Sequence, residues 1–396
     1  MMSDITNNPP TTNEPMRRHL HVVPHYRPAQ EGLMRLAQLG AVTLEYGETL
    51  SNVTLAYRTW GELNAAGDNA VIILHALTGD SLVAGEGGWW EPVIGSGKPI
   101  DTQDHFVICA NILGGCQGST GPASRDEFGG YYGLRFPLIT IGDIVKTQRL
   151  LLESLGITKA IAIGGSIGGF QALEWATRHA DMVAGTGCIA AAGNLNALGI
   201  AVHGEIGRRA IMADPNWHNG DYLKYDTFPE EGLAIARMAA MTTYNSRESM
   251  GNRFGRNPAV RTPLYPEFGT TYDVEGYLHY HGRALVQRFD ANSYLYLTRA
   301  MDMYDIGRNG GDAHWFNQIN APMLFVGISS DWLFPPDDIE LLAARLSDRG
   351  KDVRYELIES PNGHDSFLKD WNQLNPIVAR FMESLRAGSG SERASS

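Results

Sequence analysis

Gly164-Gly165-Ser166-Ile167-Gly168 sets a serine among glycines at a sharp bend. A serine hydroxyl becomes a nucleophile at neutral pH only when a base takes its proton and an acid orients that base. Downstream, Ser329-Ser330-Asp331-Trp332 offers an acid and Asn362-Gly363-His364-Asp365 a base. Together Ser166, Asp331 and His364 point to attack on a carbonyl carbon and formation of an acyl-serine. Asp337 and Asp338 are alternatives for the acid; Asp331 lies nearest the end of the preceding apolar run. The chain has 12 histidines, but only His364 follows the last apolar run in a Gly-His loop. Acyl transfer also needs two N–H donors aimed at the developing oxyanion. Ile167, the residue after the nucleophile, supplies one backbone N–H, and Leu77 within His75-Ala76-Leu77-Thr78-Gly79 supplies the second.

Such groups meet only if strand ends hold them side by side. Apolar runs at 42–44, 53–58, 71–74, 106–110, 160–163, 183–189, 323–326 and 353–357 read as strands, the later ones continuous enough for a buried parallel sheet. Helical patterns at 144–155 and 170–179 supply crossovers. The serine bend joins a strand to a helix, the Leu77 loop follows run 71–74, and Asp331 and His364 each sit just past a strand. A serine, aspartate, histidine order in that setting is the order of α/β-hydrolases. The expected fold class is therefore α/β, an α/β-hydrolase fold with a mostly parallel central sheet and an inserted helical lid. Between 193 and 316 the alternation of strand and helix stops, and helix-like segments are broken at Pro215, Pro229, Pro258, Pro263 and Pro266. Expected boundaries are a flexible N-terminal tail at 1–35, a core at 36–192 and 317–386, a helical lid at 193–316, and a flexible Ser/Gly-rich tail at 387–396.

Composition narrows the function classes. A formal net charge of -12 repels nucleic acid and anionic membrane, so an anionic ligand must meet locally placed cations. Three cysteines, Cys109, Cys116 and Cys188, have neither zinc-site spacing nor disulfide density, and residues 1–15 lack a signal-peptide pattern. A cytoplasmic protein without membrane segments is expected. His279-x-His281 lacks a convincing third ligand, which argues for a hydrogen-bonded lid pair rather than a metal site. The Gly-rich stretch 113–121 lacks the Gly-Lys-Ser/Thr ending of a phosphate loop and reads as a turn shaping the pocket floor. Tyr294 to Leu297 and Met238 to Met241 read as helix packing.

Longer segments carry a resemblance. His75-Ala76-Leu77-Thr78-Gly79-Asp80, Asn111 to Pro122, Phe136-Pro137, Gly164 to Trp175, Arg288 to Thr298, Ser330 to Phe334 and Gly363-His364-Asp365 are similar to the homoserine O-acyltransferase family of methionine biosynthesis, over about residues 50 to 380. The resemblance implies that acetyl-CoA, a co-substrate rather than a resident cofactor, acylates Ser166, and that the γ-hydroxyl of L-homoserine then takes the acyl group with His364 as base. It further implies Arg237 for the homoserine carboxylate, Asp365 for its ammonium, no metal or prosthetic group, and a homodimer formed through lid helices. Relatives resembling succinyl users tend to carry arginine two positions after the catalytic aspartate. Leu333 stands there in this chain and favours acetyl, since an apolar side chain gives a distal carboxylate no partner. Ile167 and Phe170 replace the methionines common in the family, which leaves the backbone donor intact. Alternatives are succinyl transfer, serine as acceptor, an esterase or thioesterase using the same triad, and a catalytically silent binding module. Serine and homoserine differ by one methylene, worth only ~1 to 3 kcal/mol in a pocket.

Overall fold

A computed structural model describes residues 31–259, 272–308 and 311–393. Its centre is an eight-stranded sheet in the order β1-β2-β4-β3-β5-β6-β7-β8. The strands are β1 Arg35–Thr43, β2 Thr49–Trp60, β3 Ala70–Leu74, β4 Phe106–Ala110, β5 Ala160–Gly165, β6 Val183–Ile189, β7 Met323–Ile328 and β8 Val353–Ile358. β1, β2 and β4 pair antiparallel, and every pairing from β4 to β8 is parallel.

Alternation along the strands divides the core between the two faces. Ile72, Ile108 and Ala162 belong to one apolar cluster with helices α1 (Ile141–Ser154) and α2 (Ile167–Arg178) and the inserted lid. Val71, Ile73, Val107 and Ile163 belong to the other, under the last helix through Leu374, Ile377, Val378 and Phe381. With both faces covered, β3 to β5 are buried at every position.

Several boundaries move for local reasons. α1 begins three residues before the expected start because Thr140 and Asp143 form a capping box, each side chain accepting from the other's backbone N–H at 3.0 Å. β1 reaches back from the run expected at 42–44 to Arg35 as a half-exposed edge strand with irregular register around Gly40, which left no apolar run before 42; Leu44 lies in the turn after it. Of the expected tail at 1–35, residues 1–30 lie outside the described residues. The remainder is tied down: Gly32 N–H donates to the Thr59 carbonyl at 3.0 Å, and the Glu31 carboxylate accepts from Gly61 N–H at 2.8 Å. Of the expected tail at 387–396, residues 387–393 are instead helical, because the last helix runs Trp371–Arg393 and a docked helix gains one bond per added residue and propagates past its apolar face; residues 394–396 lie outside the described residues.

The insertion is helical among its described residues, with longer elements at Glu230–Tyr244, Arg247–Phe254, Asp273–Val286 and Ala291–Met303, and a π-helical stretch at Ile200–Gly207. Residues 260–271 and 309–310 of the expected lid lie outside the described residues. Helix Asp312–Gln318 carries the insertion two residues beyond 316. The two ends of the insertion meet: Asn194 pairs with Asp305, and Ile306 N–H donates to the Gly193 carbonyl at 2.8 Å. Beside that neck, Arg308 reaches Glu45 and Glu174, each at 3.4 Å.

Candidate active site

Ser166, between the end of β5 and the start of α2, has φ 59° and ψ -127°, a left-handed conformation that side chains rarely adopt. The surroundings fix it. Ser166 N–H donates to the Ile189 carbonyl at 3.0 Å, and Gly169 N–H donates to the Ser166 carbonyl at 2.8 Å. α2 passes so close to the end of β3 that a Cβ on Gly168 would run into the Leu74 carbonyl oxygen.

Parallel register brings the other loops to the same edge. Leu74 lies opposite Gly164, so the chain of β3 enters its loop beside the elbow. Ile328 lies opposite Ile358, so the Asp331 and His364 loops leave β7 and β8 together. The short helix His364–Leu368 packs onto the elbow, and a Cβ on Gly165 would lie 2.6 Å from the Phe367 ring.

Asp331 and His364 meet in the interior. The Asp331 Oδ2 accepts from His364 Nδ1 at 2.6 Å, while Oδ1 accepts from the N–H groups of Leu333 at 2.9 Å and Phe334 at 3.0 Å. A carboxylate only accepts, so Nδ1 carries the proton and Nε2 is left as a base. That Nε2 is buried and has no hydrogen-bond partner among the described residues, Ser166 included. Tyr244 stacks on the imidazole at 5.8 Å, with Phe334 at 5.5 Å and Phe367 at 5.6 Å. Burial in this apolar cage is the largest influence and pulls the imidazole down, yet the charge and hydrogen bond of Asp331, joined by the charge of Asp365, outweigh it and hold the pKa above its ordinary value. Asp337 and Asp338 instead stand exposed in the first turn of helix Pro336–Ser347, where they complement the helix dipole.

The expected oxyanion donors, the N–H groups of Leu77 and Ile167, both lack an acceptor among the described residues. The Leu77 peptide is held by its other end: the Ala76 carbonyl accepts from His75 Nδ1 at 2.8 Å and from Gly79 N–H at 2.9 Å. Because a trans peptide is planar, fixing that oxygen fixes Leu77 N–H in the opposite direction. Ile112 N–H donates to His75 Nε2 at 3.2 Å, which selects the tautomer that places the proton on Nδ1. Burial keeps this histidine's pKa low, so it stays neutral.

The remaining expected residues surround this centre. Arg237, on helix Glu230–Tyr244, sets Nη1 3.4 Å from Thr78 Oγ1 and lies over the Tyr244 ring at 5.3 Å. It has no carboxylate partner among the described residues. Asp365 pairs with Lys369 at 3.2 Å at the site's edge. Leu333 is buried and anchored by its N–H to Asp331. Ser166 and His364 retain only 5% and 2% of their surface; a groove of about 840 Å³ is lined by Asn245, Ser246, Arg247, Ser330 and Trp332, the last two flanking Asp331 in sequence, and by none of Ser166, Asp331 and His364.

Three residues escaped the sequence reading. Tyr244 covers His364, and His203 lies behind it with ring centroids 5.5 Å apart, its Nε2 2.9 Å from Thr243 Oγ1. Burial first, then the charges of His364 and Arg237, push His203 down to about 3. Arg288 donates from Nη1 to the Thr78 carbonyl at 2.6 Å, and burial, reinforced by Arg237, pulls its pKa down. Only Arg288 lay within a segment whose pattern had drawn attention. His281 packs its ring against Tyr277 at 4.5 Å and Tyr280 at 5.2 Å, and no group of three or more His, Cys, Asp or Glu suited to a metal occurs among the described residues. The Gly-rich stretch closes on itself through Gly114 N–H to the Thr120 carbonyl at 2.8 Å, and no described helix is long and apolar enough to cross a membrane.

Residues 69–370 match the family described as alpha/beta hydrolase fold. The homoserine O-acetyltransferase of Symbiobacterium thermophilum is 48% identical over 364 residues, covering 87% of this chain and 93% of its own. That of Bradyrhizobium diazoefficiens is 45% identical over 362 residues, covering 88% and 90%. Among solved structures, the homoserine O-acetyltransferase of Bacillus anthracis superposes with a TM-score of 0.83 at 27% identity, covering 88% of this chain and 97% of its own. Esterase E22 superposes with a TM-score of 0.81 at 29% identity, covering 88% and 99%.

Proposed function

The chain belongs to the homoserine O-acetyltransferase family within the α/β hydrolases, and on that premise we propose that it transfers an acetyl group from acetyl-CoA to the γ-hydroxyl of L-homoserine through an acetyl-Ser166 intermediate. His364 Nε2 takes the Ser166 proton as Oγ attacks the thioester carbonyl. The oxyanion forms against the N–H groups of Leu77 and Ile167. Collapse breaks the C–S bond, and CoA leaves as the thiol with the proton from His364. The homoserine hydroxyl then gives its proton to His364 and attacks the acetyl-serine; a second collapse returns the proton to Ser166 and releases O-acetylhomoserine. One base and one oxyanion hole serve both halves.

Arg237, which lacks a carboxylate partner of its own among the described residues, receives the homoserine carboxylate in this scheme, and Asp365 takes the ammonium in place of Lys369. The apolar Leu333 selects acetyl over succinyl. Burial of the elbow beneath the lid keeps water from the acyl-enzyme. The reading carries a place in methionine biosynthesis in the cytoplasm and a homodimer, for which the exposed lid residues Leu198, Ile200, Ile206, Met212 and Ile235 provide apolar surface.

What carries the proposal is identity of 43% to 48% with homoserine O-acetyltransferases across 86% or more of the chain, set on an elbow and a bonded Asp331–His364 pair. The likeness to esterase E22 favours one other reading, hydrolysis of the same acyl-enzyme. Both are separated by following CoA release from acetyl-CoA or succinyl-CoA, with homoserine, with serine, and with neither. Transfer predicts fast release only with acetyl-CoA and homoserine, and none from Ser166→Ala. Release at one rate regardless of amino acid overturns it in favour of hydrolysis.

A further inference from the structure

A cation is wired to the oxyanion hole through two peptide groups. Arg288 Nη1 donates to the Thr78 carbonyl at 2.6 Å. The N–H of that same peptide belongs to Gly79 and donates to the Ala76 carbonyl at 2.9 Å. The N–H of this second peptide belongs to Leu77, the donor read above as facing the oxyanion. Guanidinium, peptide, peptide and oxyanion thus form one head-to-tail chain, and hydrogen bonds in such a chain polarise one another, strengthening by roughly 10 to 30% per bond.

Arg288 is built for that task. Its own carbonyl accepts from Gln117 Nε2 at 2.7 Å, Gln117 in turn accepts through its carbonyl from Asn111 Nδ2, and Asn111 Oδ1 accepts from Ser81 N–H at 2.6 Å. This ring of contacts braces the His75–Gly79 turn from the Gly-rich stretch on its far side. No carboxylate forms an ion pair with Arg288 among the described residues, Asp80 acting on it only through its charge from further off, whereas Arg178, Arg208 and Arg308 each carry a direct partner. The direct contact of its Nη1 is the Thr78 carbonyl, at the head of the peptide chain.

We propose that Arg288 is a positioning residue that orients and polarises the Leu77 N–H, through the Thr78–Gly79 and Ala76–Leu77 peptides, for both tetrahedral intermediates. This deepens the proposed acetyl transfer and rests on it for the roles of Ser166 and Leu77. Acylation is read without acceptor, as the p-nitrophenolate burst from p-nitrophenyl acetate, and deacylation as turnover with homoserine. Arg288→Met slows both steps by the same factor, roughly five- to tenfold, a fraction of the 10² to 10³ that loss of a whole oxyanion donor costs. The KM for homoserine stays within about twofold of wild type, and the infrared carbonyl stretch of the acetyl-enzyme moves to higher frequency, since its oxygen is less strongly bonded. Arg288→Lys, which keeps the charge, recovers most of the rate.

Wild-type acylation by Arg288→Met overturns the proposal. So does a loss confined to the homoserine step or its KM, or an equal loss in the lysine variant. Ser166→Ala separates the two readings: a burst surviving in that variant removes the acyl-serine scheme itself. A silent Ser166→Ala beside an unimpaired Arg288→Met removes only the relay.

Discussion

Asp331→Asn exchanges one atom, and the structure dictates how the new amide sits. Oδ1 accepts from two backbone N–H groups, those of Leu333 and Phe334. An NH2 group in that position would face two donors, so the amide oxygen takes it and the NH2 turns toward His364. The imidazole must then accept at Nδ1 and carry its proton on Nε2, the tautomer unable to deprotonate Ser166. Loss of the base through a wrong tautomer is worth about 10³ to 10⁴ in rate for triads of this kind, or roughly 4 to 5.5 kcal/mol of barrier. The pH profile moves too. In the wild type the rising limb of acylation, which requires neutral His364, has its midpoint above the ordinary histidine value. Without the carboxylate, burial is opposed only by the charge of Asp365, and the limb shifts to lower pH as the plateau falls. Stopped-flow bursts between about pH 5 and 9 measure both quantities. A variant retaining more than about a tenth of the wild-type plateau, or a limb that stays in place, would refute the reasoning.

Two further outcomes test the scaffold. Gly168→Ala drives a methyl group into the Leu74 carbonyl, a backbone atom unable to yield, and should cost more than ~3 kcal/mol, read as a fall in Tm or loss of soluble protein. Arg308→Met leaves Arg178 alone to serve Glu45 and Glu174; the expected loss is ~2 kcal/mol near neutral pH, below that of a fully buried pair because Arg308 and Glu45 are partly solvated. Its pH dependence has a definite sign. Burial, offset by Arg178 and Arg308, leaves the folded pKa of Glu174 above the unfolded value, so the stability linked to its protonation is complete below the unfolded pKa and fades as pH rises through the folded one. Arg308 counters that fading only while the carboxylates are ionised. The Tm gap between wild type and variant should therefore widen from about pH 4 to pH 8, and a constant gap would exclude this account.

The strands that carry the site were readable because β3 to β7 are buried on both faces and therefore continuous in apolar residues. The elbow was readable because its backbone demands glycines at fixed offsets from Ser166. α2 begins at once after Ser166, earlier than the apolar pattern suggests, because Gly168 and Gly169 read as breakers although close packing requires them. The first seven residues of β1, 35–41, escaped for the opposite reason, as part of an edge strand with little to bury; only its end fell within the run read at 42–44. The ceiling of the site was the least legible part. Tyr244 and His203 come from separate lid segments, and Tyr244 meets His364 with His203 behind it only through tertiary packing, which no periodicity encodes. The tautomer of His75 is set by Ile112 N–H, 37 residues away.

The insertion between β6 and β7 departs and returns at one point, where Gly193 and Asn194 touch Ile306 and Asp305. Closing a segment of more than a hundred residues costs only logarithmically more than closing a short one, and the insertion's own helices offset that cost by packing among themselves. The insertion can be treated as a cassette: another member's helices could be grafted across the same two cut points to exchange acceptor recognition, provided the graft keeps the two side chains that reach back to the sheet edge, Arg288 on the Thr78 carbonyl and Tyr244 on the His364 ring.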